Sequence, residues 1–187
     1  DHMFIADYYD GEWQDFRIEP YAKINISPAN PAIHYGQSIF EGLKAYKNPA
    51  GEVLIFRPMM NFNRMNKSAT RMVMPNLSEE IFMDGMRELI NLDSDWVPNM
   101  EGTSLYIRPF MFATDEYIGI RTSDTYRFMI ITCPVGAYYS QPVKVKIEEN
   151  YTRAAKGGTG FAKTAGNYAA ALYPSYEAMK EGYNQLI

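Results

Sequence analysis

The spacing of apolar residues in the first third of the chain predicts two β-hairpins. Residues 4–9 and 12–17 have strand-like patterns and flank Asp10-Gly11, a pair that readily adopts the left-handed backbone of a two-residue turn. Residues 43–46 and 53–56 flank Asn48-Pro49-Ala50-Gly51, whose residue types favour a turn.

Two amphipathic helices are predicted next. Pro58 stands at the start of the first, where its missing N–H does no harm, and this helix should end before Pro75. Its apolar stripe at helical spacing consists of Phe62, Met65, Ala69 and Met72. The second helix should follow Ser78, because serine caps helix N-termini and the next two residues are glutamates.

The rest of the chain reads as buried strands at 105–112 and 127–132 and a half-exposed strand over 143–147. A helix is expected from about Asn167 to Lys180, with Pro174 as a possible kink. Gln185-Leu186-Ile187 starts an apolar run that we expect to lack a strand to pair with. Both ends look cut, so we expect a piece of a longer protein.

Length and composition set the broad class. The 187 residues fit one domain plus part of a second. We predict an N-terminal small domain at 1–138, a linker at 139–152 and the incomplete start of a second domain at 153–187. A net charge of −4 without a basic stripe argues against nucleic acid. Cys133 is the single cysteine, so we expect a cytoplasmic setting and no disulfide framework. No apolar run approaches the roughly 20 residues of a membrane span.

The stretch from Gly157 to Tyr168 is the most informative for chemistry, and its local pattern leaves three interpretations open. A phosphate-binding P-loop would require glycine at position 162, where Ala162 stands, and a strand directly before it. A flexible loop with a solvated Lys163 is the plain alternative. The third is a Schiff-base lysine, which must become neutral although free lysine has a pKa near 10.4, and which needs small neighbours and a nearby group such as Tyr168.

Five ordered motifs extend the third interpretation to most of the chain. Lys163-Thr164-Ala165-Gly166-Asn167-Tyr168 resembles the K-x-G-G-N-Y signature of branched-chain aminotransferases, pyridoxal 5′-phosphate (PLP) enzymes of fold type IV, with Ala165 in place of the first glycine. The segment 34–46 resembles the family's H-Y-x-x-x-x-F-E-G motif. Residues 62–65 resemble its phosphate-arginine helix, and 106–109 and 134–138 match two further segments.

The resemblance implies PLP as cofactor and gives roles to four residues. Lys163 would be the covalent anchor and the proton carrier between the substrate Cα and the cofactor C4′. Tyr168 would bond the ring hydroxyl, and Arg64 would hold the phosphate. Arg153 matches an arginine near the cofactor. As an alternative, Arg64 belongs to a solvated helix face with Lys67 and Arg71.

The resemblance also implies a substrate pocket. Phe40 and the ring faces of Tyr35 and Tyr138 would form its apolar wall, and Arg108 with the tyrosine hydroxyls would receive an acidic side chain. Tyr106 belongs to the same set. The plain alternatives are a structural ion pair for Arg108 and core packing for Phe40 and Tyr106.

The fold implied is α+β, of PLP fold type IV (D-amino-acid aminotransferase-like), with a small N-terminal α/β domain and the start of a cofactor domain. The implied reaction moves the amino group of leucine, isoleucine or valine to 2-oxoglutarate, as in branched-chain amino-acid biosynthesis. Ile118 and Ile120 match a loop that reaches the other subunit's site, which implies a homodimer. No metal, membrane or nucleic-acid partner is expected.

Other functions remain open from the sequence. Within the same fold the rivals are D-amino-acid aminotransferases and aminodeoxychorismate lyases. Outside it, the rivals are a P-loop nucleotide-binding protein and a non-enzymatic binding module. The family's later segments, including the glutamate that pairs with the pyridine nitrogen, have no counterpart in these residues.

Overall fold

The computed structural model describes residues 1–139 and 141–187. In chain order its elements are β1 (His2–Tyr9), β2 (Glu12–Pro20), α1 (Pro31–Tyr35), β3 (Ser38–Phe40), β4 (Leu43–Lys47), β5 (Val53–Ile55), α2 (Pro58–Arg71), α3 (Glu79–Leu92), a short 3₁₀ turn (Ser94–Trp96), β6 (Ser104–Ala113), β7 (Tyr126–Val135), β8 (Val145–Lys146), α4 (Ala165–Ala169), α5 (Leu172–Lys180) and β9 (Gln185–Leu186).

A seven-stranded antiparallel sheet forms the body of the protein, in the order β2-β1-β7-β6-β4-β5, and β3 also pairs with β6. Both predicted hairpins are confirmed as β1–β2 and β4–β5. At the first turn Asp10 and Gly11 have φ values of 54° and 85°, the left-handed backbone that the sequence indicated.

Helices α2 and α3 contribute to the main hydrophobic core with the sheet, and their predicted starts are confirmed. Pro58 is the first residue of α2, and the Ser78 side chain accepts a hydrogen bond from the Ile81 N–H at the start of α3. Met65 in α2 is fully buried. Helix α3 approaches β1 at Gly85, where an added Cβ would lie 2.6 Å from the Phe4 ring, so a side chain there would force the two elements apart.

The last part of the chain corrects three expectations. The run at 185–187 does have a partner, because β9 pairs in parallel with β8. The predicted strand over 143–147 is reduced to Val145–Lys146. The single helix expected from Asn167 to Lys180 is two helices, α4 and α5. Pro174 lies in the first turn of α5, where proline has no helical hydrogen bond to break.

Segment 159–169 packs onto the sheet and α2. The Thr164 hydroxyl donates to the Ser38 carbonyl at 2.8 Å, and Thr164 forms an isolated bridge with Ile39. The predicted linker at 139–152 contains β8, and residue 140 within it lies outside the described residues. The proposed domain boundaries remain a prediction. Among residues 1–139 and 141–187, no helix has the length and apolar character needed to cross a membrane.

Candidate active site

The backbone of Lys163 is held by two other parts of the fold. Its N–H donates to the Ser68 hydroxyl of α2 at 2.9 Å, and its carbonyl accepts from the Phe40 N–H at 3.0 Å. These bonds attach the lysine to a helix and to the end of β3. The backbone of Lys163 therefore has a fixed position, which does not fit the flexible loop of the plain alternative, and the role of its amine remains a prediction.

The amine of Lys163 lies among aromatic groups. Its Nζ donates to the Tyr168 hydroxyl at 2.6 Å and lies 4.5 Å from the centroid of the Phe40 ring. The Phe40 and Tyr168 rings are themselves 4.9 Å apart between centroids. Helix α4 begins two residues after the lysine, and its turn brings Tyr168 back over the amine. The Lys163 amine and the Tyr168 hydroxyl are therefore in contact with each other beside the Phe40 ring.

A buried amide closes the glycine-rich loop before the lysine. Asn167 is 5% exposed, donates to the carbonyls of Ala162 at 2.6 Å and Thr159 at 2.8 Å, and accepts from the Thr159 hydroxyl at 2.7 Å. Asn167 had no predicted role, although its place in the K-x-G-G-N-Y pattern marked it. No strand lies in residues 147–164, so this loop does not follow a strand as a P-loop does.

Arg108 of β6 packs against the Phe40 ring. Its guanidinium carbon is 4.6 Å from the Phe40 centroid, and its Nη2 donates to the Tyr106 hydroxyl at 2.8 Å. Its Nε is buried without a hydrogen-bond partner, which is unfavourable for a charged donor. No ion pair among the described residues includes Arg108. The ion-pair alternative is therefore wrong for these residues.

Gly42 makes room for the Tyr106 side chain. A Cβ at Gly42 would clash with the Tyr106 hydroxyl. Residues 40–42 of the predicted F-E-G motif thus contact different partners. The Phe40 ring contacts Lys163 and Arg108, Glu41 pairs with Arg64, and Gly42 faces Tyr106. Only Phe40 among these three motif residues had a role predicted from the sequence.

Arg64 of α2 forms a two-pronged ion pair with Glu41, at 2.6 Å from Nε to Oε1 and 2.7 Å from Nη2 to Oε2. The hydrogen bond to Glu41 is the largest cause that raises the pKa of Arg64 above its ordinary value. The alternative of a purely solvated helix face does not describe Arg64, although half of its side chain is exposed.

The other predicted site residues lie apart from this cluster. No hydrogen bond or ring contact in the described part of the chain joins them to Lys163. Tyr35 and Tyr138 are exposed, Ile118 and Ile120 stand on the loop between β6 and β7, and Arg153 lines a separate groove with Tyr151 and the chain end. Their assignments remain predictions.

Solved structures define the class of fold. The protein is similar to a branched-chain aminotransferase from Thermoproteus uzoniensis with norvaline, with a TM-score of 0.76 and 23% identity over 98% of this chain and 59% of that chain. It is also similar to the T.th. branched-chain amino acid aminotransferase complexed with N-(5′-phosphopyridoxyl)-L-glutamate, with a TM-score of 0.73 and 21% identity over 97% of this chain and 57% of that chain. The predicted fold type IV is confirmed.

Sequence similarity gives the family. No protein-family model matches the chain. The chain is 48% identical over 192 aligned residues to branched-chain-amino-acid transaminase 1 of Bacillus subtilis (strain 168), covering 100% of this chain and 54% of the relative. The chain belongs to the branched-chain-amino-acid aminotransferase family. It spans about half the length of the curated relatives it matches.

Proposed function

We propose that the protein containing this chain is a PLP-dependent branched-chain-amino-acid aminotransferase. It transfers the amino group of leucine, isoleucine or valine to 2-oxoglutarate. The observation that supports this most is the Lys163 amine, fixed at 2.6 Å from the Tyr168 hydroxyl in a chain whose relatives carry this enzyme name. The related structures with norvaline and with a phosphopyridoxyl-glutamate adduct support the cofactor and both substrate classes.

The residues present fit PLP. An amine that takes the cofactor aldehyde, a phenol beside it for the ring hydroxyl and a cation for the phosphate are three of the groups that hold PLP. Lys163 and Tyr168 are already in hydrogen-bond contact, and the Arg64 guanidinium is held by Glu41. The chemistry that PLP supplies when bound is an electron sink for the substrate Cα.

The side chains of this chain would bind the cofactor, orient the amine and move a proton. Lys163 would hold the cofactor, and its amine would take the proton from the substrate Cα. Tyr168 keeps that amine in place by accepting its hydrogen bond. Phe40 covers the amine on one side and so reduces the access of water to it.

Replacement of Arg64 by alanine is expected to weaken PLP binding by roughly tenfold or more, because a charge-assisted hydrogen bond contributes about 1.5–3 kcal/mol. Binding is measured by titrating the apo form of the full-length protein with PLP, and the fold is checked by circular dichroism. Arg87→Ala is the matched control, since Arg87 forms an exposed ion pair with Asp84 on α3. Equal PLP affinity in Arg64→Ala and wild type would refute the phosphate role.

The same proposal makes the enzyme a homodimer whose β6–β7 loop enters the partner's site. Ile118 and Ile120 are 70% and 94% exposed and so offer apolar area that a partner could cover. The base of their loop is fixed, because Asp115 accepts hydrogen bonds from the Thr125 N–H and hydroxyl and pairs with Arg121. A cytoplasmic setting stays a prediction.

Replacement of Ile120 by aspartate is expected to raise the dimer dissociation constant by about fivefold or more, because a polar group buried without a partner costs about 1–3 kcal/mol. Sedimentation velocity over a range of protein concentrations measures it. Ile33→Asp is the control, since Ile33 is 62% exposed on α1. If the two variants dissociate alike, or neither does, the loop is not the partner contact.

A further inference from the structure

Glu41 is a carboxylate without solvent contact. Its side chain is 0% exposed, and it immediately follows β3. Its Oε1 accepts from Arg64 Nε at 2.6 Å, and its Oε2 accepts from Arg64 Nη2 at 2.7 Å and from Asn61 Nδ2 at 2.9 Å. A carboxylate at this depth is costly unless it is paired in this way. The fold nevertheless places one here, directly under Arg64.

The backbone around Glu41 holds the carboxylate in place. The Glu41 N–H donates to the Pro109 carbonyl at 2.8 Å, and the preceding Phe40 N–H donates to the Lys163 carbonyl at 3.0 Å. Phe40 therefore holds the backbone of Lys163, and the adjacent Glu41 holds the side chain of Arg64. The dipeptide Phe40-Glu41 thus links the lysine that would anchor the cofactor to the arginine that would hold its phosphate.

The pairing determines which edge of Arg64 is available. A guanidinium has five N–H donors in a planar fork, and Glu41 engages Nε and one N–H of Nη2. The Nη1 group and the second N–H of Nη2 remain, on a side chain that is 52% exposed. An arginine on a helix surface would otherwise sample many rotamers, and fixing them reduces the entropy lost on binding.

We propose that Glu41 is the positioning residue for the cofactor phosphate: it binds the inner edge of Arg64 and thereby presents the outer edge to the phosphate oxygens. This inference rests on the proposed function, because it requires PLP to bind here. Glu41 itself does not touch the phosphate, since two anions in contact would repel each other. It acts through Arg64 alone.

The test compares ligands that differ only in the phosphate. Pyridoxamine 5′-phosphate and pyridoxamine have no aldehyde to react with Lys163, so their dissociation constants from the apo full-length protein report contacts alone. Glu41→Gln should weaken pyridoxamine 5′-phosphate by about tenfold, similar to the loss of residues that orient metal ligands. Pyridoxamine should change by less than about twofold. Pyridoxamine 5′-phosphate should bind more weakly because the glutamine amide keeps only one acceptor oxygen and turns an N–H donor towards Arg64, which is then no longer held in place.

A double-mutant cycle with Arg64→Met separates positioning from general damage. Glu41→Gln should have no further effect on pyridoxamine 5′-phosphate in the Arg64→Met background, and that double variant leaves no buried charge unpaired. Asp84→Asn, which removes a carboxylate from the exposed pair with Arg87, should leave both ligands unchanged. Thermal unfolding of each variant checks the fold.

The outcomes are distinct. Equal weakening of both ligands by Glu41→Gln, or the same weakening in the Arg64→Met background, would overturn the positioning role and leave the proposed function intact. A wild-type protein that binds pyridoxamine 5′-phosphate no better than pyridoxamine would overturn both. A loss confined to the phosphorylated ligand and dependent on Arg64 would support the inference.

Discussion

Replacement of Arg108 by methionine should lower kcat/KM for glutamate by roughly tenfold to several hundredfold and leave leucine almost unchanged. Arg108 packs against the Phe40 ring, which also lies beside the Lys163 amine, so its guanidinium belongs to the proposed pocket. Glutamate's side-chain carboxylate loses water on entry, and a charge-assisted bond to arginine contributes about 1.5–3 kcal/mol, and more where its loss leaves the carboxylate buried without a partner. Leucine forms no such bond and needs only apolar contacts.

Single-turnover reduction of the PLP form of the full-length protein by each amino acid measures the Arg108 effect. Arg127→Met is a useful control, because Arg127 is an arginine of the neighbouring strand β7 that pairs with Asp7. An equal loss for glutamate and leucine would mean that Arg108 is structural, since a collapsed pocket harms every substrate. A loss confined to leucine would refute the pocket assignment.

Replacement of Lys163 by alanine should lower the rate of amino-group transfer by at least roughly 10²–10⁴-fold, the usual contribution of one proton-transferring group. Lys163→Arg should be as inactive as Lys163→Ala, because arginine keeps the positive charge but does not deprotonate in proteins. The measurement is stopped-flow kinetics with leucine, and circular dichroism checks the fold. Activity restored by arginine would mean that Lys163 contributes only its charge.

Turns and helix caps in this fold can be predicted from short stretches of sequence. The turn at Asp10-Gly11 and the Ser78 cap depend on residues only a few positions apart, so short patterns were sufficient to predict them. The parallel pairing of β8 with β9 is not predictable in this way, because it joins segments that are distant in the sequence. Strands of two residues are also too short to show a periodic pattern of apolar residues. The sequence predicts one helix with a possible kink at Pro174. The structure instead breaks the helix before Leu172, so Pro174 lies in the first turn of α5.

The candidate site was predicted unevenly for a similar reason. The motifs indicated Lys163, Tyr168, Phe40, Arg108 and Tyr106, and the structure brings them together. The supporting contacts were not predicted, because they cross the chain: the Ser68 hydroxyl that accepts from the Lys163 N–H is 95 residues away. Glu41 stood in the F-E-G motif, but only the fold shows that its carboxylate is buried under Arg64.

The most direct test of the central claim is to identify the residue to which the cofactor is attached. The full-length protein is supplied with PLP, reduced with borohydride and digested, and the labelled peptide is sequenced by mass spectrometry. The account predicts visible absorbance before reduction and a pyridoxyl label on Lys163, held beside Tyr168. A label on another lysine, or no label in a folded protein supplied with PLP, would contradict it.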